Sequence, residues 1–236
     1  MKKTLILFSA ILISFVNVVQ SQSVDDILEK HFKAVGQEKL VSINSFYIKA
    51  KVSQMGMEMP MEMKIQKPDK FIVTIDVQGQ KMIQAFDGEK GWMIIPMMSP
   101  DPQALEGDNL KQAKEQVNME GELYKYKEKG SSADLRGKVN IEGKDYYRIK
   151  LTTKDGNLKD YFIDAESYLV SRVKTKVSQQ GQTVDIEQIM SDHTTIEGIT
   201  MAKKIEINSP MPSTIIMEEI KFNEKYDDSI FKQKTE

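Results

Sequence analysis

The stretch Ser45 to Ile65, SFYIKAKVSQMGMEMPMEMKI, decides the fold class. Ile48, Ala50 and Val52 alternate with Lys49, Lys51 and Ser53. After Gly56, the residues Met59, Met61, Met63 and Ile65 alternate with Pro60, Glu62 and Lys64. A repeat of two puts successive side chains on opposite faces of a strand, so each half predicts a strand with one apolar face. The two halves are expected to pair as a hairpin around Gly56.

The same pattern runs outward to the C-terminus. Phe71, Val73, Ile75 and Val77 repeat it after Lys67-Pro68-Asp69, and Met82 to Phe86 and Trp92 to Ile95 flank the turn Asp87-Gly88. Strands are predicted at Lys138 to Glu142, Asp145 to Thr153, Leu158 to Asp164, Tyr168 to Val177, Thr183 to Asp192, Ile199 to Asn208 and Ser213 to Phe222. Their punctuation is Asp155-Gly156-Asn157, Asp164-Ala165-Glu166, Gln180-Gly181 and Glu197-Gly198. Between Ser99 and Lys129 the alternation fails. Pro100 and Pro102 open the segment, and Leu105, Leu110, Ala113, Val117 and Leu123 lie among charges, which predicts one or two helices.

Toward the N-terminus the period becomes helical. Ser23 is an N-cap, Asp25 and Asp26 occupy the first turn, and Val24, Ile27, Leu28, Phe32 and Val35 form one apolar stripe ended by Gly36. The expected architecture is mainly β with a few helices (α+β). About eleven or twelve antiparallel strands form a strongly curved sheet or unclosed barrel, with an N-terminal helix and a mid-chain helical insertion over its apolar concave face. Before this helix, Lys2 and Lys3 precede an apolar run from Thr4 to Val19, the pattern of a secretory signal peptide cleaved after Ser21. Residues 22–236 are then expected to form a single exported domain in the periplasm. Cysteine is absent, which excludes disulfides, thiol chemistry and a lipidated cysteine at the cleavage point. The formal net charge of −2 is mild and favours no nucleic-acid partner.

Residue types suited to catalysis are few. There are two histidines, His31 beside the helix stripe and His193 at a strand end, both read as structural. No H-x-x-x-H, C-x-x-C, G-x-S-x-G or P-loop pattern occurs, and the acidic pairs Asp25-Asp26, Glu218-Glu219 and Asp227-Asp228 suit exposed faces and helix starts. An enzyme is not expected, nor is a cofactor or a resident metal. The chain holds 15 methionines, concentrated in Met55 to Met63 with Met93, Met97 and Met98 later. Thioethers suit Cu(I), but they also make an adaptable apolar lining or an ordinary core, and no histidine or cysteine stands nearby in sequence. Gly56 and Pro60 predict a bend that divides the methionines between two strands.

Several segments resemble the LolA/LolB-like family of periplasmic lipoprotein carriers. Gln66-Lys67-Pro68-Asp69-Lys70-Phe71 is similar to the family's basic residue and proline leading into a strand. Phe86 to Pro96 resembles its D-G-x-x-x-W-x-x-x-P hairpin, Tyr161 to Val173 its late strand-turn-strand, and Ile220 to Asn223 with Asp227 to Phe231 its closing segment. The resemblance implies an unclosed β-barrel whose helices plug an apolar cavity for acyl chains, so the ligand is expected to be a lipoprotein acyl chain or another lipid. It also implies partners among inner- and outer-membrane lipoprotein-transfer proteins, and a monomer is expected. Where the family's best-known carriers have arginine before the proline, this chain has Lys67, the expected basic residue of lid control and handover. The candidate lining is Ile27, Leu28 and Phe32 from the helix, with Ile48, Val52, Met61, Met63, Phe71, Val73, Ile75 and Trp92 from the sheet. A sensory or protein-interaction module of the same fold, with no transported lipid, is the alternative.

Overall fold

A computed structural model describes residues 22–179 and 182–233. The expected leader, its cleavage point and the Gln180-Gly181 turn lie outside them. Helix α1, Val24–Val35, begins where Ser23 accepts a hydrogen bond from the Asp26 amide while Asp26 reaches back to the Ser23 amide. It ends at Gly36, whose φ of 72° also starts a second helix, α2, Gln37–Ser42. This short helix has too few residues for a visible period, which is why the sequence did not signal it. A Cβ on Gly36 would strike the carbonyl of Gly198, so the α1–α2 corner is docked directly on a sheet turn.

The sheet has thirteen strands. The first half comprises β1 (Ser45–Gln54), β2 (Met57–Gln66), β3 (Lys70–Val77), β4 (Gln80–Asp87), β5 (Gly91–Ile95) and β6 (Ser99–Ala104). The second comprises β7 (Ser132–Ile141), β8 (Lys144–Thr152), β9 (Leu158–Asp164), β10 (Val170–Gln179), β11 (Gln182–Ile196), β12 (Ile199–Asn208) and β13 (Ser213–Phe222). Consecutive strands pair as antiparallel neighbours within each half, β1 joins β13 at the centre, and β6 and β7 are unpaired edges. The barrel is therefore not closed.

The expected β1–β2 hairpin forms around Met55 and Gly56, both at positive φ, the conformation of a type I′ turn. The bend expected at Pro60 does not occur. Pro60 lies one residue outside the β2–β3 register, which begins at Met61 opposite Ile75, and the strand runs through it. Met57, Met59, Met61 and Met63 consequently belong to one strand. The thirteenth strand is β6, where helix was expected; with Pro100 and Pro102 it suits a sheet edge, and it pairs with β5 through Ile95–Ser99 and Trp92–Ala104. The helix of this region, α3, is shorter and later, Gly107–Gln116. His193 is inside β11 opposite Ala202, not at the strand end expected for it. No helix among the described residues is long and apolar enough to cross a membrane.

Candidate functional site

One face of the sheet, here the inner face, receives α1, α2 and α3. The registers align Phe46, Ile48, Ala50 and Val52 of β1 with Ile65, Met63, Met61 and Met59 of β2, and these with Phe71, Val73 and Ile75 of β3. This row packs under Leu40 of α2, Ala113 of α3 and Val117 just after it. Met59, Met61, Val52 and Val73 are each below 10% exposed, while Met63 and Ile75 are half-buried at the margin of the same cluster. Seven of the expected lining residues therefore share one compartment: Ile48, Val52, Met61, Met63, Phe71, Val73 and Ile75.

The other four are elsewhere. Ile27 and Leu28 of α1 form a second compartment with Ile149, Leu151, Tyr161 and Ile163 of β8 and β9, and Phe32 packs at its edge. The N-terminal helix thus covers the C-terminal half of the sheet, and the cover over the methionine strand is α2 and α3. Trp92 requires a correction, since its parity puts it with Ala85 and Ile72 on the outer face. There its indole N–H donates to the Phe231 carbonyl at 2.9 Å, under the C-terminal segment. That segment is fixed by Lys70–Asp228 at 2.7 Å and by the Tyr226 hydroxyl donating to the Phe46 carbonyl at 3.2 Å.

The residues between α3 and β7 cross the inner face as a strap joining the two compartments. Val117 belongs to the first; Leu123 and Tyr126 are buried in the second. Along the way Glu122 accepts from Lys159 at 2.7 Å and from the Tyr161 hydroxyl at 2.6 Å. Burial pushes the Tyr161 phenol well above its ordinary value, and the Glu122 charge adds to this, so Tyr161 remains a donor. Tyr126 and Lys127 then donate to Asp25 at the start of α1, at 3.0 and 2.7 Å.

Lys67 stands where α2 meets the strap. Its ammonium donates to the carbonyls of Leu40 at 3.3 Å and Val41 at 2.9 Å, and to Glu120 Oε1 at 3.0 Å. The two carbonyls belong to the last turn of α2, where a cation is favoured, and that of Leu40 also accepts from the Ile43 amide at 3.3 Å. The buried Gln37, at the other end of α2, donates to the Glu120 carbonyl at 3.0 Å. One residue of the strap is thus held by both ends of α2, and a single cation completes the arrangement. Beside it a cleft of about 550 Å³ is lined by Lys67, Phe86, Lys114, Val117 and Met119, with Lys114 above the Phe86 ring. The sequence pointed to Lys67 through its place before proline, but nothing in the sequence paired it with Glu120, 53 residues away.

His31 is buried and its Nδ1 donates to the Tyr168 carbonyl at 2.8 Å, with burial holding it below the ordinary histidine value. Among the described residues no group of three or more His, Cys, Asp or Glu side chains could hold a metal.

No family model matches the chain, and no curated protein sequence matches it. Solved structures do share its fold. A DUF1329 family protein from Desulfovibrio piger superposes with a TM-score of 0.61 at 14% identity, over 87% of this chain and 97% of that one. A LolA superfamily protein from Nitrosomonas europaea gives 0.58 at 15%, over 90% and 98%. An outer membrane lipoprotein-sorting protein domain from Vibrio parahaemolyticus gives 0.58 at 10%, over 84% and 95%. The likeness is one of fold, at identities of 10–15%.

Proposed function

We propose that this chain is an exported, periplasmic carrier or binder of lipoprotein acyl chains or another lipid, held against the inner face of β1–β3 once α2 and the strap lift away. The observation that carries this reading is the Lys67 latch, a polar fastening set over an otherwise apolar sheet face. Hydrogen bonds to a charged group contribute about 1.5–3 kcal/mol each, so opening three costs about 4.5–9 kcal/mol, toward the low end because Lys67 and Glu120 are partly exposed. Burying about ten acyl methylenes contributes about 8 kcal/mol, which is enough to displace the latch. The methionines suit the task, because an unbranched thioether repacks around chains of different length.

Native mass spectrometry and lipid extraction of the exported protein, together with titration of a fluorescent fatty acid, test the reading. Co-purified lipid and saturable probe binding are expected, with Lys67→Ala altering probe affinity. Absence of both lipid and probe binding would sink it. The tight packing of Ile48, Met59, Met61 and Phe71 under the lid favours a second reading, a protein-interaction or sensory module with no transported lipid. That reading requires a permanently closed interior, indifferent to Lys67.

A further inference from the structure

The antiparallel meander sends alternate turns to opposite ends of the sheet. At the end where Lys67 fastens the lid, the turns carry charge: Lys67 and Asp69, Glu89 and Lys90, Glu166, and Glu197. At the opposite rim the β8–β9 turn carries Lys154 and Asp155, and apart from it the rim gathers the β1–β2, β3–β4, β5–β6 and β12–β13 turns. Residues 52–57, 77–80, 91–100 and 207–217, which include these four turns, contain no Asp, Glu, Lys or Arg, in a chain where those types make up 29%.

The same rim carries the exposed apolar side chains. Met55 is 80% exposed, Met57 40%, Met97 76%, Met98 83% and Met211 62%. Leu158, at the start of β9, is on this rim too, leaving only Ile216 of the exposed large hydrophobics elsewhere among the described residues. The methionines of the central turns are neighbours. Gln54 pairs with Ser213 and donates to the Met211 carbonyl at 3.4 Å, and Gln78 donates to Met57 Sδ at 3.8 Å. Met57 also shares its strand face with Met59, Met61 and Met63, so the row of thioethers continues from the rim into the interior.

The geometry points to this rim as a docking surface for a phospholipid bilayer, entered by the methionine side chains and recognised without charge. Flexible thioethers can enter the acyl boundary, the glutamine, asparagine and serine residues between them can hydrogen-bond headgroups, and the residues of these four windows bring no ionised side chain with them. Exposed apolar side chains gathered on one rim mark an interaction site, and here Met57 continues the row into the apolar interior. The inference builds on the carrier reading, because a bilayer is where a lipid cargo is collected or delivered. Docking by this rim leaves the Lys67 end free to open.

Flotation with phosphatidylcholine vesicles tests it, using exported protein whose amino terminus has been read by mass spectrometry so that no leader remains. The protein should float with neutral vesicles equally at low and high salt, and Met97→Glu/Met98→Glu should lower the bound fraction at least tenfold. Met97→Leu/Met98→Leu should retain binding. Circular dichroism and the soluble fatty-acid titration should be unchanged in both variants, which separates failure of docking from failure of the carrier reading. Three results overturn the proposal: no flotation of the wild type with neutral vesicles, full flotation of the glutamate variant, or loss of binding in the leucine variant, since leucine presents the same apolar surface.

Discussion

Replacing Lys67 with methionine keeps an unbranched apolar stem of similar length, with sulfur in place of one methylene, and removes the ammonium. Three acceptors lose the ammonium at once, the carbonyls of Leu40 and Val41 and the carboxylate of Glu120, although Leu40 keeps the Ile43 amide. Breaking a well-buried ion pair by deleting one partner costs about 3–5 kcal/mol. Here the Glu120 side chain is 29% exposed and that of Lys67 18%, so water recovers part of the loss and about 2–3 kcal/mol is expected. At 1.4 kcal/mol per factor of ten, that is about a 30- to 150-fold rise in the opening equilibrium of the lid. Hydrogen exchange read by mass spectrometry resolves it by segment. Peptides covering α2 and residues 117–124 should exchange faster by that factor, while the β1–β2 hairpin keeps its protection. Lys67→Arg should leave exchange near the wild-type rate, since a guanidinium offers donors enough for all three acceptors. Unchanged exchange in α2, or equal acceleration in the lid and the hairpin, would refute the assignment of Lys67 as a local latch.

Three further outcomes follow from individual contacts. Gly36→Ala forces a Cβ into the Gly198 carbonyl at φ 72° and should lower the thermal midpoint, with a cost of about 1–3 kcal/mol by thermal unfolding; an unchanged midpoint would mean that the α1–α2 corner is not docked on the sheet. His31 is held neutral by burial, so the unfolded chain binds its proton first and stability should fall as pH drops below about 6.5. His193 shifts in the same direction for the same reason, so His31→Gln should flatten that slope only in part when melting is followed from pH 7 to 5. Because the single tryptophan is 6% exposed on the outer face, its emission should be blue-shifted and insensitive to fatty-acid loading. A large quench on loading would return Trp92 to the cavity.

The alternation in residues 45–65 determined the faces of β1 and β2 before any coordinates, because in a two-residue repeat the local pattern alone fixes which side chains share a side. The capping residues Ser23 and Gly36 likewise fixed α1 at both ends, since caps act within a single turn. Where both faces of a strand are apolar, that logic stops. Gly91 to Ile95 offers Met93 and Ile95 on one face and Trp92 and Ile94 on the other, and only the arrival of Phe231 over the indole decides which is outside. The stripe of α1 showed that the helix must be covered, but burial is non-directional. The strap, fixed by Glu120 at one compartment and Tyr126 at the other, set α1 against β8 and β9 and left α2 and α3 to close the methionine strand. Lys67 could be singled out by its neighbour Pro68, yet its role as a latch depends on two helix-end carbonyls and one distant carboxylate. The charge-free turns were present in the sequence as scattered pieces, and the meander gathered them on one rim. Local chemistry fixed the elements and their faces; which elements share a compartment was decided by contacts between residues far apart in the chain, which no local pattern encodes.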